Sequence, residues 1–196
     1  MRITAIFTAA LALLAAEASA QPPAEAQVCV SCHGAQGEGT ALGPVLAGLS
    51  AEYIDAQITR FIAGDRHSEL MSMMAQNYAD PQLRKPVAAY FEAQGQMPKP
   101  QLRGQKIPTS AAQKLYYQGD LLRNIPACYS CHGPSAVGGG PFPRLAGQQA
   151  SYLAGQLQAW QKGERKGDPG NMMVAIAGRL KADEIQALAE YLAAIR

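Results

Sequence analysis

The residues best placed to do chemistry are two pentapeptides, Cys29-Val30-Ser31-Cys32-His33 and Cys128-Tyr129-Ser130-Cys131-His132. Two thiols separated by two residues, with an imidazole immediately after, form the attachment pattern of a c-type haem. Each thiol can add across a haem vinyl group to give a thioether, and the adjoining histidine then sits under the iron as its proximal ligand. The two copies use all four cysteines of the chain. Two other uses of such pairs were weighed. One zinc ion could be held by both, but structural zinc sites bring their ligand pairs within a few tens of residues, and here 96 positions separate Cys32 from Cys128. A thioredoxin-like dithiol would want a strand-helix setting, and nothing around Cys29 or Cys128 reads as a strand.

The elements that must position these motifs follow from the flanking sequence. Residues 1–20 read as a secretory signal: Arg2 begins it, Ile3 to Ala16 is apolar, and Ala18-Ser19-Ala20 is a small-x-small cleavage site. Export suits covalent haem attachment, and no later stretch is long and apolar enough to cross a membrane. Two domains follow, at 21–100 and 101–196. Little chain precedes the first motif, so its leading helix is expected to be truncated. Ser50 is a good N-cap for a helix over Ala51 to Ala63 that Gly64 stops. A loop carrying Met71, Met73 and Met74 comes next. The last helix of this half, with Val87, Tyr90 and Phe91, is expected to break at Pro86. Gln94 to Pro108 has no apolar period and reads as the linker.

The second half repeats the first at an offset of 99 residues. Cys29, Cys32 and His33 become Cys128, Cys131 and His132; Pro44, Leu46 and Gly48 become Pro143, Leu145 and Gly147. Tyr53, Gln57, Gly64 and Arg66 recur as Tyr152, Gln156, Gly163 and Arg165. Such identity at fixed spacing indicates an internal duplication. Unlike the first half, the second has a full leading helix, Ala111 to Tyr117, and an unbroken last helix, Ala182 to Ala194, with Ile185, Leu188 and Leu192 on one face. The fold class is all-α, each half a few short helices around a large apolar disc that supplies the core fewer than a hundred residues could scarcely build alone.

Function depends on the ligand opposite each histidine. A methionine sulfur closes the site and leaves electron transfer as the natural task, whereas an open position suits ligand binding or catalysis. Past Arg66 the offset grows to 102, pairing Met71 with Met173, and these are the expected axial ligands; Met73, Met74 and Met172 are the neighbours that replace them if the register is wrong. His67 is the only histidine outside the motifs and is expected to be solvated. Pro44 and Pro143 lie 11 residues after their histidines, where a carbonyl could accept the imidazole Nδ1–H. Tyr53, Trp160 and the tyrosines of the last helices are expected to pack. The mature chain carries a net charge of −3 up to Pro100 and +5 after it, a dipole that could steer docking.

These residues together resemble the diheme cytochrome c4 family of bacterial periplasms. The resemblance rests on the Cys-His-Gly that closes each motif, Pro143-Arg144-Leu145-Ala146-Gly147-Gln148, the Tyr-x-x-x-Gln helices, and Gly64-Asp65-Arg66 with Gly163-Glu164-Arg165. It implies two tandem class I cytochrome c-like domains packed with their haems adjacent, His33 and Met71 on one iron, and His132 and Met173 on the other. It also implies two covalent haem c groups and transient redox protein partners, such as a bc complex as donor and a terminal oxidase as acceptor. On this reading the chain is not itself an enzyme. Two alternatives remain beside it: a diheme subunit of a dehydrogenase such as a flavocytochrome sulfide dehydrogenase, and a diheme peroxidase. Leu49 and Ser50 depart from the pattern, standing where the second half has Gln148.

Overall fold

A computed structural model describes residues 21–95 and 107–195. The expected signal segment, the expected domain boundary at residues 100 and 101, and Met97 lie outside the described residues. The described residues are helical, with three isolated backbone bridges and no strand.

In the first half, a single 3-10 turn at Ala24–Ala26 leads into α1 (Gln27–His33), which carries the first motif. Next is α2 (Ala51–Ala63), where the Ser50 hydroxyl accepts from the Tyr53 N–H and Gly64 closes the helix in the left-handed conformation, as read from sequence. The methionines expected on a loop lie instead on a helix, α3 (Glu69–Ala75). Its reason is local: Ser68 caps it by accepting from Met71 N–H, and Glu, Leu, Met and Ala are strong helix formers.

The last helix of this half, α4 (Pro81–Ala93), runs through Pro86 without a break, which corrects the sequence expectation. Proline forfeits one hydrogen bond, to the carbonyl of Gln82, and Gln82 is exposed. Beyond it Val87, Ala88, Tyr90 and Phe91 are all buried, and their burial outweighs the loss. They pack with Ala26, Leu49, Tyr53 and Ile54 as the core of the first domain.

The second half contains α5 (Ala111–Gln118), α6 (Tyr129–His132) with the second motif, α7 (Ala150–Gln161), α8 (Met172–Ala177) and α9 (Ala182–Ala193). The leading and last helices fall within one residue of their expected ends. Between α5 and α6 a 3-10 turn, Leu121–Arg123, is stapled by Arg123, which pairs with Asp120 and Glu184 at 2.7 Å each. Leu115, Tyr116, Ile125, Leu153, Ile185 and Leu188 form the core beneath it.

The two halves meet through the residues that marked the duplication. Arg66 and Arg165 face each other in an antiparallel backbone bridge. On either side His67 N–H donates to the Glu164 carbonyl and Lys166 N–H to the Asp65 carbonyl. The Arg66 guanidinium reaches over to the Tyr152 hydroxyl (2.6 Å) and Gln156 Oε1 (2.8 Å), and the Arg165 guanidinium to the Tyr53 hydroxyl and Gln57 Oε1 (both 2.9 Å). Each of these contacts has its reciprocal, so a pseudo-two-fold axis passes between the arginines.

Candidate haem sites

Each histidine of the attachment motifs is buried and donates or accepts at one ring nitrogen only, with Nδ1 2.9 Å from the carbonyl of Pro44 or Pro143. A carbonyl can only accept, so each imidazole carries its proton on Nδ1 and leaves Nε2 free to ligate. Burial also lowers both histidines' affinity for a second proton, the proline carbonyl partly opposing it.

The loops that hold these carbonyls superpose in their hydrogen bonds. Leu46 and Ala47 donate to the Gly37 carbonyl as Leu145 and Ala146 donate to that of Ala136, and Gly48 donates to Phe91 as Gly147 does to Leu192. One position differs sharply. A Cβ on Gly43 would stand 2.9 Å from the His33 ring, so only glycine fits there. The equivalent Phe142 sets its ring at 74° to His132, with centroids 6.4 Å apart.

No disulfide joins the four cysteines. Burial pushes Cys128 up to about 11 and raises Cys29 as well. A redox dithiol needs the opposite, a thiol whose pKa is depressed, so thioredoxin-like chemistry finds no support. No group of three or more His, Cys, Asp or Glu among the described residues could hold a metal ion, which leaves the zinc reading without a site.

In the second domain the motif opens onto a cavity of about 540 Å³ lined by Cys128, Cys131, His132, Pro143, Met173 and Leu188, among others. That volume lies within the range of cofactor sites, roughly 300–1,000 Å³. Met173 is half-buried at its wall and Met172 39% exposed; in the first domain Met71 is half-buried and Met73 64% exposed. The register of the two methionine helices is fixed by Ala75 and Ala177, buried at their ends (2% and 0% exposed). His67 is exposed and bound through its backbone N–H to the Glu164 carbonyl.

The cytochrome c family profile matches residues 23–119 and again 109–196. A solved reduced cytochrome c4 from Pseudomonas stutzeri superposes with a TM-score of 0.74 at 30% identity, covering 88% of this chain and 95% of that one. The chain belongs to the diheme cytochrome c4 family.

Two further likenesses carry more identity. The thiosulfate dehydrogenase electron acceptor of Thiomonas intermedia is 41% identical, over 98% of this chain and 90% of that protein. The solved thiosulfate dehydrogenase of Marichromatium purpuratum is 42% identical with a TM-score of 0.72, over 86% of this chain but only 36% of the longer solved chain. Like the cytochromes c4, the protein is an electron-transfer cytochrome with two covalently bound haem c groups. The reading as a flavocytochrome subunit is not favoured.

The residues present fit those groups. Among the described residues, three buried side-chain atoms have no hydrogen-bond partner: Gln57 Nε2, Trp160 Nε1 and Asp168 Oδ1. Two of these are donors, and three buried guanidiniums (Arg66, Arg144 and Arg165) have no carboxylate among their hydrogen-bond partners. A haem brings two carboxylates, the missing counterpart for such a wall.

The duplication disclosed which residues are equivalent but not that they meet, so the Tyr-Gln-Arg cross was missed. Missed too were Arg60 and Asp168, which line the cavity of the second domain. No shared spacing marks Asp168, which precedes Met173 by five residues where Ser68 precedes Met71 by three, although its carboxylate likewise accepts from the methionine N–H (2.6 Å).

Proposed function

We propose that this cytochrome is the electron acceptor of an enzyme that oxidises thiosulfate or a similar inorganic sulfur compound, and that it passes the electrons to a terminal oxidase or another acceptor in the periplasm. The observation that supports this reading most is its likeness, along nearly the whole chain, to the Thiomonas intermedia electron acceptor. Bound haem c supplies a one-electron couple. The chain contributes the thioether cysteines Cys29, Cys32, Cys128 and Cys131, the axial pairs His33 with Met71 and His132 with Met173, and carbonyls that fix each imidazole. Its two domains divide between residues 100 and 101. It catalyses no reaction of its own, and its charge dipole steers brief encounters with partners. No helix among the described residues is long and apolar enough to cross a membrane.

The test mixes the oxidised protein with thiosulfate and a thiosulfate dehydrogenase and follows the reduced haem band by stopped flow. Reduction should need both additions and slow as salt is raised. Full-rate reduction by a quinol-oxidising complex, with none by the thiosulfate enzyme, would replace the proposed donor. Met71→Ala and Met173→Ala should each remove the methionine–iron charge-transfer band of one haem; retention of both bands would reassign the ligands to Met74 or Met172.

A further inference from the structure

Of the buried donors that the two domains do not share, one has no partner among the described residues. Trp160, the only tryptophan of the chain, sits on α7 at 8% exposure, lines the cavity of the second domain, and has no partner for its Nε1–H among the described residues. Its equivalent on α2 is Phe61, equally buried at 7%. Both rings are stacked by a guanidinium in the same way: Arg165 lies 4.0 Å from the Trp160 ring centroid and Arg66 4.5 Å from that of Phe61. Shape and stacking are thus duplicated and the indole N–H is not.

A buried indole N–H nearly always finds an acceptor, because leaving it bare forfeits its hydration. Among the described residues it has none, which points to an acceptor in what fills the cavity. The thioethers at Cys128 and Cys131 hold a haem by its vinyl edge, which leaves its two carboxylates for the opposite edge. Cations that can receive them, Arg165 and Arg60, line the same cavity, and Arg60 is also unmatched, its equivalent being Ala159. Asp168 is the carboxylate on this wall; its Oδ2 accepts from Met173 N–H, and its Oδ1 is buried with no partner among the described residues. The unpartnered amide of Gln57, by contrast, has an equivalent in Gln156, so amide donors are available to both domains.

We propose that Trp160 donates its indole N–H to a carboxylate of the second haem and acts as a positioning residue that raises that haem's potential alone. Spreading the carboxylate's negative charge into a hydrogen bond weakens its preference for the ferric iron beside it. Nothing equivalent acts on the first haem.

The experiment replaces Trp160 by 3-benzothienylalanine, which keeps the bicyclic shape and stacking but has sulfur in place of N–H, with W160F beside it. In a spectroelectrochemical titration of the full diheme protein, the ferrous-to-ferric ratio of one haem at fixed potential should fall about three- to tenfold, tenfold being 59 mV for one electron. The other haem should stay within about twofold, the scatter expected between distant sites. In the fully reduced wild type, the single indole proton should resonate downfield and exchange slowly with solvent. Unchanged potentials in the benzothienyl protein, an equal fall at both haems, or an indole proton exchanging at the rate of free water would each overturn the proposal. Should W160F fail to mature, the benzothienyl protein and the indole proton decide it.

Discussion

The segments that present Pro44 and Pro143 to their histidines share one backbone frame but are secured differently. In the second domain the segment closes on itself: Gly139 N–H donates to the Phe142 carbonyl and Phe142 N–H returns the bond, at 2.8 and 3.0 Å. From the first domain it receives a hydrogen bond from the Ser50 hydroxyl to the Gly140 carbonyl. In the first domain only one of those two bonds recurs, from Thr40 N–H to the Gly43 carbonyl (2.9 Å), beside a bond from the Thr40 hydroxyl to the Cys32 carbonyl, and the neighbour adds the rest. Gln148 grips Val45 at both backbone groups (Nε2 to the carbonyl, 2.9 Å; Oε1 from the N–H, 3.0 Å), and Gln149 donates to the carbonyls of Thr40 (2.7 Å) and Gly43 (3.2 Å). Among the described residues, the first domain has only the 3-10 turn Ala24–Ala26 ahead of its motif helix, where the second has α5 packed on α9. The first domain's segment takes four side-chain hydrogen bonds from its neighbour and the second's takes one, so the interface acts on the iron site of the first more than on that of the second.

The largest break in that arrangement should come from the shared arginines. Arg165→Ala strips Tyr53 and Gln57 of a buried partner at once, and we expect a loss of about 3–4 kcal/mol, with the single calorimetric transition splitting into two as the domains uncouple. A single sharp transition at an unchanged Tm would refute the coupling.

Gln148→Leu, which installs the residue that the first domain carries at the equivalent position, should cost about 2–3 kcal/mol by leaving Val45 N–H and carbonyl bare. The damage should appear at the other domain: hydrogen exchange should accelerate around Thr40 to Val45 and stay unchanged around Gly139 to Phe142. Acceleration confined to the second domain would mean that the clamp holds in the opposite direction.

Pro86→Ala returns a hydrogen bond to α4 and should stabilise the first domain by about 1–3 kcal/mol, read as a rise in its melting temperature. The smallest effect concerns the stapled turn of the second domain. Arg123 holds the Glu184 carboxyl below its ordinary value, with the Lys181 N–H as a lesser cause and burial opposing. A carboxylate whose pKa is lower in the folded protein adds stability above its unfolded pKa of about 4.3, and that contribution disappears as acid takes the pH through the folded value. Arg123→Ala should therefore lower stability slightly at pH 7 and leave it nearly unaltered at pH 2–3, as urea titrations at the two pH values would show.

What the sequence disclosed was local or repeated. The haem motifs, the Ser50 and Gly64 caps and the proline carbonyls each depend on residues within about a dozen positions, so their physics is written in one stretch. Pro86 misled because a local rule met a non-local force: Val87, Tyr90 and Phe91 are buried by contacts the helix cannot see. The methionine helices were read as loops because seven and six residues are too few to show a period. Tyr53 illustrates the remaining gap. Its recurrence at Tyr152 was plain, but that its hydroxyl accepts from a guanidinium 112 positions away is set by docking, and no spacing in one chain records it.

The paired backbone bridge at Arg66 and Arg165 carries a further consequence. Reciprocal contacts about a two-fold axis are the hallmark of an isologous homodimer, in which any substitution enters both protomers and every change of surface is made twice. Here both copies lie on one polypeptide. Fusion leaves each side free to mutate alone, so that glycine stands beside one imidazole and phenylalanine flanks the other. The symmetric seam records the ancestor, and the tether across it is what allowed the two irons to acquire different surroundings.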